Sequence, residues 1–188
     1  MHLNIRAVVC TSSRPKDDRR LTIRLEKPGD AAAIHQVNLL AFGQPLEADL
    51  VDALRQSGGL IISLVAVQDG CLVGHIAFSP VTITSSTATI AALGLGPMAV
   101  LPAYQRRGIG SQLVEAGLTA CHHTPYGVVV VLGHPHYYPR FGFVLAKPLG
   151  IVWEHDAPEE ACMVKEIHEG ALAQIRGVVK YRPEFATV

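Results

Sequence analysis

The strongest constraint on this chain lies between Leu93 and Cys121, where an apolar strand passes a short turn at Pro102 and a basic, glycine-rich loop into a helix. Arg106, Arg107, Gly108, Ile109 and Gly110 stand where loop becomes helix. The first N–H groups of a helix have no intrahelical partner, and the macrodipole makes that end positive. Glycines let a bulky anion approach the backbone, and two arginines add donors suited to phosphate. The segment is therefore built to hold a phosphate or pyrophosphate. It is not a P-loop, because no Gly-Lys-Ser/Thr follows, and Leu113 stands where a Rossmann fingerprint wants its third glycine. After the helix, Val128-Val129-Val130-Val131-Leu132 is a continuous β-branched run, as in a strand buried on both faces. A right-handed strand–helix–strand crossover makes the two strands parallel, and ligands in such sheets bind where neighbouring strands part at their carboxyl ends.

The rest of the pattern sets this unit beside an antiparallel meander. Leu21–Leu25 alternates as a first strand, and Asp30 stands ready to cap a helix from Ala31. Gly43-Gln44-Pro45 breaks that helix, and a second carries Leu46, Leu50, Ala53 and Leu54 before Ser57-Gly58-Gly59. Ile61–Val67 and Cys71–Ile83 pair through the Asp69-Gly70 turn, Pro80 marks a bulge or the end of regular pairing, and Ala88–Val100 follows. Phe143–Lys147 and Cys162–Ile167 read as the last two strands, joined by a loop through Trp153 and His155, with an edge strand at Val178, Val179 and Tyr181. Residues 1–20 read as a flexible extension, in which Met1–Cys10 forms a short strand or a tail contact and Thr11–Arg20 has no period, and residues 21–188 as a single domain.

Composition excludes several classes of partner. Among 188 residues, 16 Lys plus Arg balance 16 Asp plus Glu, which argues against nucleic acid or an anionic membrane as the main partner. Hydrophobic residues make up 49%, yet no apolar run approaches the ~18 residues of a membrane span, so a homodimer interface is the expected outlet for the excess. Cys10, Cys71, Cys121 and Cys162 are widely spaced and read as buried or free thiols rather than a disulfide framework; without an apolar leader, a cytoplasmic location is expected.

Gln105-Arg106-Arg107-Gly108-Ile109-Gly110 resembles the Gln/Arg-x-x-Gly-x-Gly/Ala motif of the GNAT acyltransferases, and Met98-Ala99-Val100-Leu101-Pro102 resembles the splayed fourth strand before it. Tyr138 and the Gly142-Phe143 pair match the Tyr-x-x-x-Gly-Phe signature of that family, and the surrounding phrase is similar to its YhbS-like branch. One departure is that Val131 occupies the position of the family's frequent asparagine. The short helix that carries the tyrosine is expected to be curtailed by Pro135 and Pro139.

The resemblance implies an α+β (α/β/α) fold. Its mixed, mostly antiparallel sheet of six to seven strands would contain a splayed parallel pair and be flanked by about four helices. It implies an N-acetyltransferase that moves an acetyl group from acetyl-CoA to a primary amine of a small molecule or peptide in a ternary complex, without a metal. Gln105, Arg106, Arg107, Gly108, Ile109, Gly110 and Ser111 would then hold the pyrophosphate. The backbone of Met98, Ala99 and Val100 would hold the pantetheine arm, with an N–H near Met98 as oxyanion donor.

Acetyl transfer also needs a proton for the departing thiolate and a route for the amine's proton. Tyr138 is the candidate donor, with Tyr137 as its competitor. From Gly70 to Val114 there is no Asp or Glu. The candidate bases are therefore Glu47, Asp49, His75, His134 and His136. Glu47 stands in the segment that roofs the acceptor site in the family; deprotonation through ordered water rather than by one side chain is the expected route. Two rival readings remain. His122-His123 with His134-Pro-His136 invites a metal, though it supplies few ligands. A catalytically inactive acyl-CoA sensor of the same fold would bind the coenzyme without turnover.

Overall fold

β1 (Thr22–Leu25) begins a nine-stranded sheet that the rest of the chain extends and covers. The structure is a computed structural model describing residues 21–173 and 175–187; the expectations for residues 1–20 lie outside it. Helices α1 (Ala31–Phe42) and α2 (Leu46–Gln56) follow, then strands β2 (Ile62–Gln68), β3 (Cys71–Thr84) and β4 (Thr89–Val100). Next come α3 (Ile109–Cys121), β5 (Val128–Leu132), β6 (Val144–Leu145), β7 (Ile151–Trp153), β8 (Cys162–Glu166) and β9 (Gly177–Lys180). The main strand order is β1-β2-β3-β4-β5-β8-β6, with β9 joined to both β3 and β7. The pairs β4/β5 and β7/β9 are parallel and the others antiparallel.

The described residues contain three α-helices, where the sequence suggests about four, and nine strands, where it suggests six or seven. The surplus strands are short. Phe143–Lys147 shrinks to the two residues of β6. The loop through Trp153 contains β7, which pairs in register with β9. Such pairings are non-local, so local periodicity does not reveal them.

One layer is α3, whose Ile109, Leu113, Val114, Leu118 and Cys121 pack under β2–β5 with Phe78, Leu93 and Val129. Each such large aliphatic side chain contributes about 1.5–3 kcal/mol by leaving water. Gly117 lets the helix sit this close: a Cβ there would lie 2.4 Å from the Phe78 ring. The other layer is α1, whose Ala33, Ile34 and Val37 meet Val65, Leu72 and Ala99. Asp30 is the N-cap residue of α1, but its side chain makes no cap bond; the carboxylate takes the Arg24 guanidinium and the Lys27 N–H instead.

Pro80 stays inside β3, paired with Leu93. Phe78 accepts from Ile61 on the β2 side, so by alternation the missing Pro80 N–H also faces that side, beyond the last β2 pair at Ile62/Phe78. Nothing in the ladder is lost, and the freed edge of β3 takes β9 at Thr82–Thr84. Cys121 and Cys162 are free and buried, but Cys71 is disulfide-bonded, so the reading of four free thiols does not hold.

Candidate active site

β4 and β5 are paired at Leu93/Val129 and Gly94/Val130, after which β4 runs on to Val100 while β5 ends at Leu132. The divergence has a local cause. The β3–β4 register shifts between Ile76/Met98 and Phe78/Leu95, so β4 carries one extra residue at Gly96–Pro97 and bends away from its neighbour. The Leu101 N–H donates to the Val73 carbonyl, which fixes the alternation along β4. Ala99, opposite His75, therefore turns its peptide groups to β3, while those of Met98 and Val100 point into the fork. Ala99, expected among the cofactor-binding residues, is thus corrected to a core position: its side chain is buried against α1 and its backbone is spent on the ladder.

The loop closes the fork's other end. Gln105 Nε2 donates to the Val100 carbonyl at 3.0 Å, tying loop to strand. Gly108 is the N-cap of α3 with φ 80°, a left-handed conformation that favours glycine, and Arg106 also adopts positive φ at 59°. The first helical bond runs from the Gln112 N–H to the Gly108 carbonyl, leaving the N–H groups of Ile109, Gly110 and Ser111 without intrahelical partners. Arg106 and Arg107 are exposed beside them, Arg107 over the Tyr104 ring. A Cβ on Gly110 would lie 2.9 Å from the Tyr137 hydroxyl and 3.6 Å from Met98 Cε, so this helix start is a narrow floor on which any side chain would displace the end of Tyr137.

The Tyr-Tyr segment forms a four-residue 3-10 turn, Tyr138–Phe141, short as its prolines require. It sends its two tyrosines to different places. Tyr137 lies over the first turn of α3, with the Arg140 guanidinium 4.0 Å from its ring centre and donating to Ser111 Oγ at 3.2 Å. Arg140 is a third cation at the helix start that motif matching passed over. Its three-residue spacing from Tyr137, which stacks such pairs in a 3-10 turn, was the available signal. Tyr138 is buried, edge-on to Phe143, and lines a cavity of about 700 Å³. Gly133 makes room for it: a Cβ there would sit 2.2 Å from the Tyr138 ring. Burial, with smaller contributions from Tyr137 and Tyr181, raises the Tyr138 pKa well above that of free tyrosine, so the hydroxyl keeps its proton.

That cavity opens where the strands part, between Leu95–Met98 of β4 and Leu132–His134 after β5. Glu47, half-buried in the first turn of α2, lines it and accepts from Gln44 Nε2 at 3.1 and 3.2 Å. Among the other candidate bases, His134 also lines the cavity, whereas Asp49 and His136 are exposed and not among its walls. His75 is corrected to a buried structural residue. Its Nδ1 accepts from Asn38 Nδ2 at 3.1 Å, so Nε2 carries the hydrogen toward Ser63 Oγ at 3.0 Å. Ser63 in turn donates to Glu26, which also receives Arg55. Burial holds the His75 pKa down to about 3, so it stays neutral. Trp153, Glu154, Asp156, Arg182 and Phe185 complete the cavity, and no motif announced them. Among the described residues no group of three or more His, Cys, Asp or Glu side chains is arranged to hold a metal ion. No helix among them is long and apolar enough to cross a membrane.

A sheet forked by a bulge, a helix start cleared of side chains and a cavity at the fork define a coenzyme A-dependent acyltransferase architecture. The family described as Acetyltransferase (GNAT) domain matches residues 22–146, and the chain belongs to it. Over 166 residues it is 36% identical to the uncharacterized N-acetyltransferase YhbS of Escherichia coli (strain K12), spanning 88% of this chain and 98% of that one. The crystal structure of YhbS from Escherichia coli in complex with CoA is similar at TM-score 0.83 and 35% identity, over 93% of this chain and 96% of that one. A GNAT family acetyltransferase from Brucella melitensis in complex with acetyl-CoA is similar at TM-score 0.73 and 37% identity, over 89% and 99%. The chain is thus an N-acetyltransferase by family, with relatives that bind CoA and acetyl-CoA.

Proposed function

We propose that this protein transfers an acetyl group from acetyl-CoA to a primary amine by direct attack within a ternary complex. One observation carries the reading: the unpartnered N–H groups of Ile109, Gly110 and Ser111, the fork-facing peptide groups of Met98 and Val100, and the cavity that Met98, Tyr138 and Glu47 line all lie at the side of the sheet where β4 leaves β5. The coenzyme's diphosphate rests on the helix start under Arg106, Arg107 and Arg140, because charge and free donors coincide there. Its pantetheine arm adds to β4 as a short strand would, and its thioester reaches the cavity.

The chemistry follows from those positions. The acceptor's ammonium first gives a proton through water to Glu47, and the neutral nitrogen attacks the thioester carbonyl carbon while the Met98 N–H donates to the developing oxyanion. The carbon–sulfur bond then breaks, the thiolate takes the Tyr138 proton, and the second proton on nitrogen passes through water to restore Tyr138. Holding both reactants in one cleft supplies much of the rate.

Isothermal titration with acetyl-CoA, paired with thiol release across a panel of amines, tests the assignment. Binding with amine-dependent release is expected. Binding without release from any amine would leave a coenzyme-binding module, and absence of binding would remove the activity altogether.

A further inference from the structure

The two ends of the site carry opposite charge, and the acceptor end is apolar as well as acidic. Phe42 and Leu132 line the cavity while keeping 41% and 49% of their surfaces exposed, apolar area that the body of a ligand in the cavity would cover. Trp153 and Phe185 form further apolar wall, and both lie beyond residue 146, where the family-wide match ends.

Charges on the same walls do not balance. Arg182 is held by Glu184 at 2.8 Å and by Ser57. Glu154 faces Lys180 at 3.6 Å. Glu47 and Asp156 have no cationic partner among the described residues, and the remaining ionisable nitrogens are the imidazoles of His134 and His155. The cations Arg106, Arg107 and Arg140, with no carboxylate partner among the described residues, gather instead at the start of α3.

We infer that the acceptor is a monoamine carried on an aromatic or branched aliphatic body, with no carboxylate or phosphate near the amine; this rests on the acetyltransferase reading above. A cationic amine approaching the thioester meets Glu47 and Asp156, while its body covers Phe42, Leu132, Trp153 and Phe185. An α-amino acid would set its carboxylate against two unpaired carboxylates with no free guanidinium to receive it. A polyamine or aminoglycoside would satisfy the charges and leave the apolar walls wet.

The test compares phenethylamine, phenylalaninamide, phenylalanine and spermidine by acetyl-CoA-dependent thiol release, with calorimetry of acetyl-CoA on the same preparation. The first two are expected to exceed the last two in kcat/KM by at least ~10-fold, the order that like-charge juxtaposition and lost apolar burial supply. Asp156→Lys, at an exposed position, is expected to narrow the phenylalaninamide-to-phenylalanine ratio with acetyl-CoA affinity unchanged; Asp156→Asn serves if the first variant misfolds. Preference for phenylalanine or spermidine, an unaltered ratio in both variants, or coenzyme binding with no turnover of any of the four would overturn the inference and leave coenzyme binding standing. Failure to bind acetyl-CoA would remove the underlying activity as well.

Discussion

Tyr138 and His75 are both buried polar side chains, and their surroundings assign them opposite uses. Tyr138 is enclosed by Phe143 and Gly133 yet reaches the cavity wall, and its raised pKa keeps it a donor throughout the neutral range. Tyr138→Phe preserves the packing and removes the proton. On the proposed mechanism kcat falls by about 100-fold, the lower end of general acid–base effects. Steady-state kinetics and calorimetry should show that loss with acetyl-CoA affinity nearly unchanged; equal kcat would return Tyr138 to packing alone. His75 holds no such position, since both its nitrogens are engaged by Asn38 and Ser63. Its folded pKa of about 3 lies below the ordinary value of 6.5, so between those values the unfolded chain takes up a proton that the folded chain refuses. Stability is therefore full above about pH 6.5 and declines as pH falls toward 3. By about pH 5 the decline reaches about 2 kcal/mol, several degrees in melting temperature. Glu26 adds to it at lower pH: burial raises its pKa, but the bonds from Arg55 and Ser63 outweigh that and hold it below the usual range. His75→Gln should flatten the fall in melting temperature between about pH 7 and pH 5; an unaltered slope would place the titration elsewhere.

Helix α3 is the element on which packing and the proposed coenzyme binding converge, and it was the most legible in sequence. Its N-terminus is announced by Gly108 and Gly110, its apolar spacing is helical, and all of this is local information. The reason for Gly117 was not local. That glycine is the contact point between α3 and the Phe78 ring across the sheet. Gly117→Ala should therefore destabilise the fold despite alanine's better helix propensity, because overpacking of about 1–3 kcal/mol exceeds the roughly 1 kcal/mol that propensity returns. Thermal unfolding should show a lower melting temperature; a rise would mean that Phe78 yields freely. The same limit explains what stayed hidden in the site. The Gln105–Gly110 loop and Tyr138 were readable as motifs. The division of labour between Tyr137 and Tyr138, the turn of Met98 and Val100 into the fork and the turn of Ala99 toward β3 depend on tertiary placement and strand register. The walls at Trp153 and Phe185 depend on β9 reaching back across the chain to β3 and β7.

Across the whole molecule, the fork is a gap in the sheet that the fold leaves unfilled. At Met98 and Val100, β4 turns its peptide groups toward no strand, and α3 presents three N–H groups without helical acceptors. A ligand that pairs with both binds the folded chain and not the unfolded one, so it stabilises by mass action. At about 100-fold excess over its dissociation constant acetyl-CoA should contribute about 2.7 kcal/mol, or roughly 5–10 °C in melting temperature for a chain of this size. Gly110→Val separates this effect from general stability. Its new side chain would meet the Tyr137 hydroxyl and Met98 at the floor where the diphosphate is proposed to rest, in the half-buried first turn of α3 rather than in the core. The variant should melt within about 1–2 °C of the parent when free, since substitutions away from the core usually change stability by at most about 0.5 kcal/mol. It should then gain little on adding acetyl-CoA. A full ligand-induced shift in Gly110→Val would mean that the diphosphate lies elsewhere, and the proposed path from helix start to cavity would no longer describe how this protein holds its coenzyme.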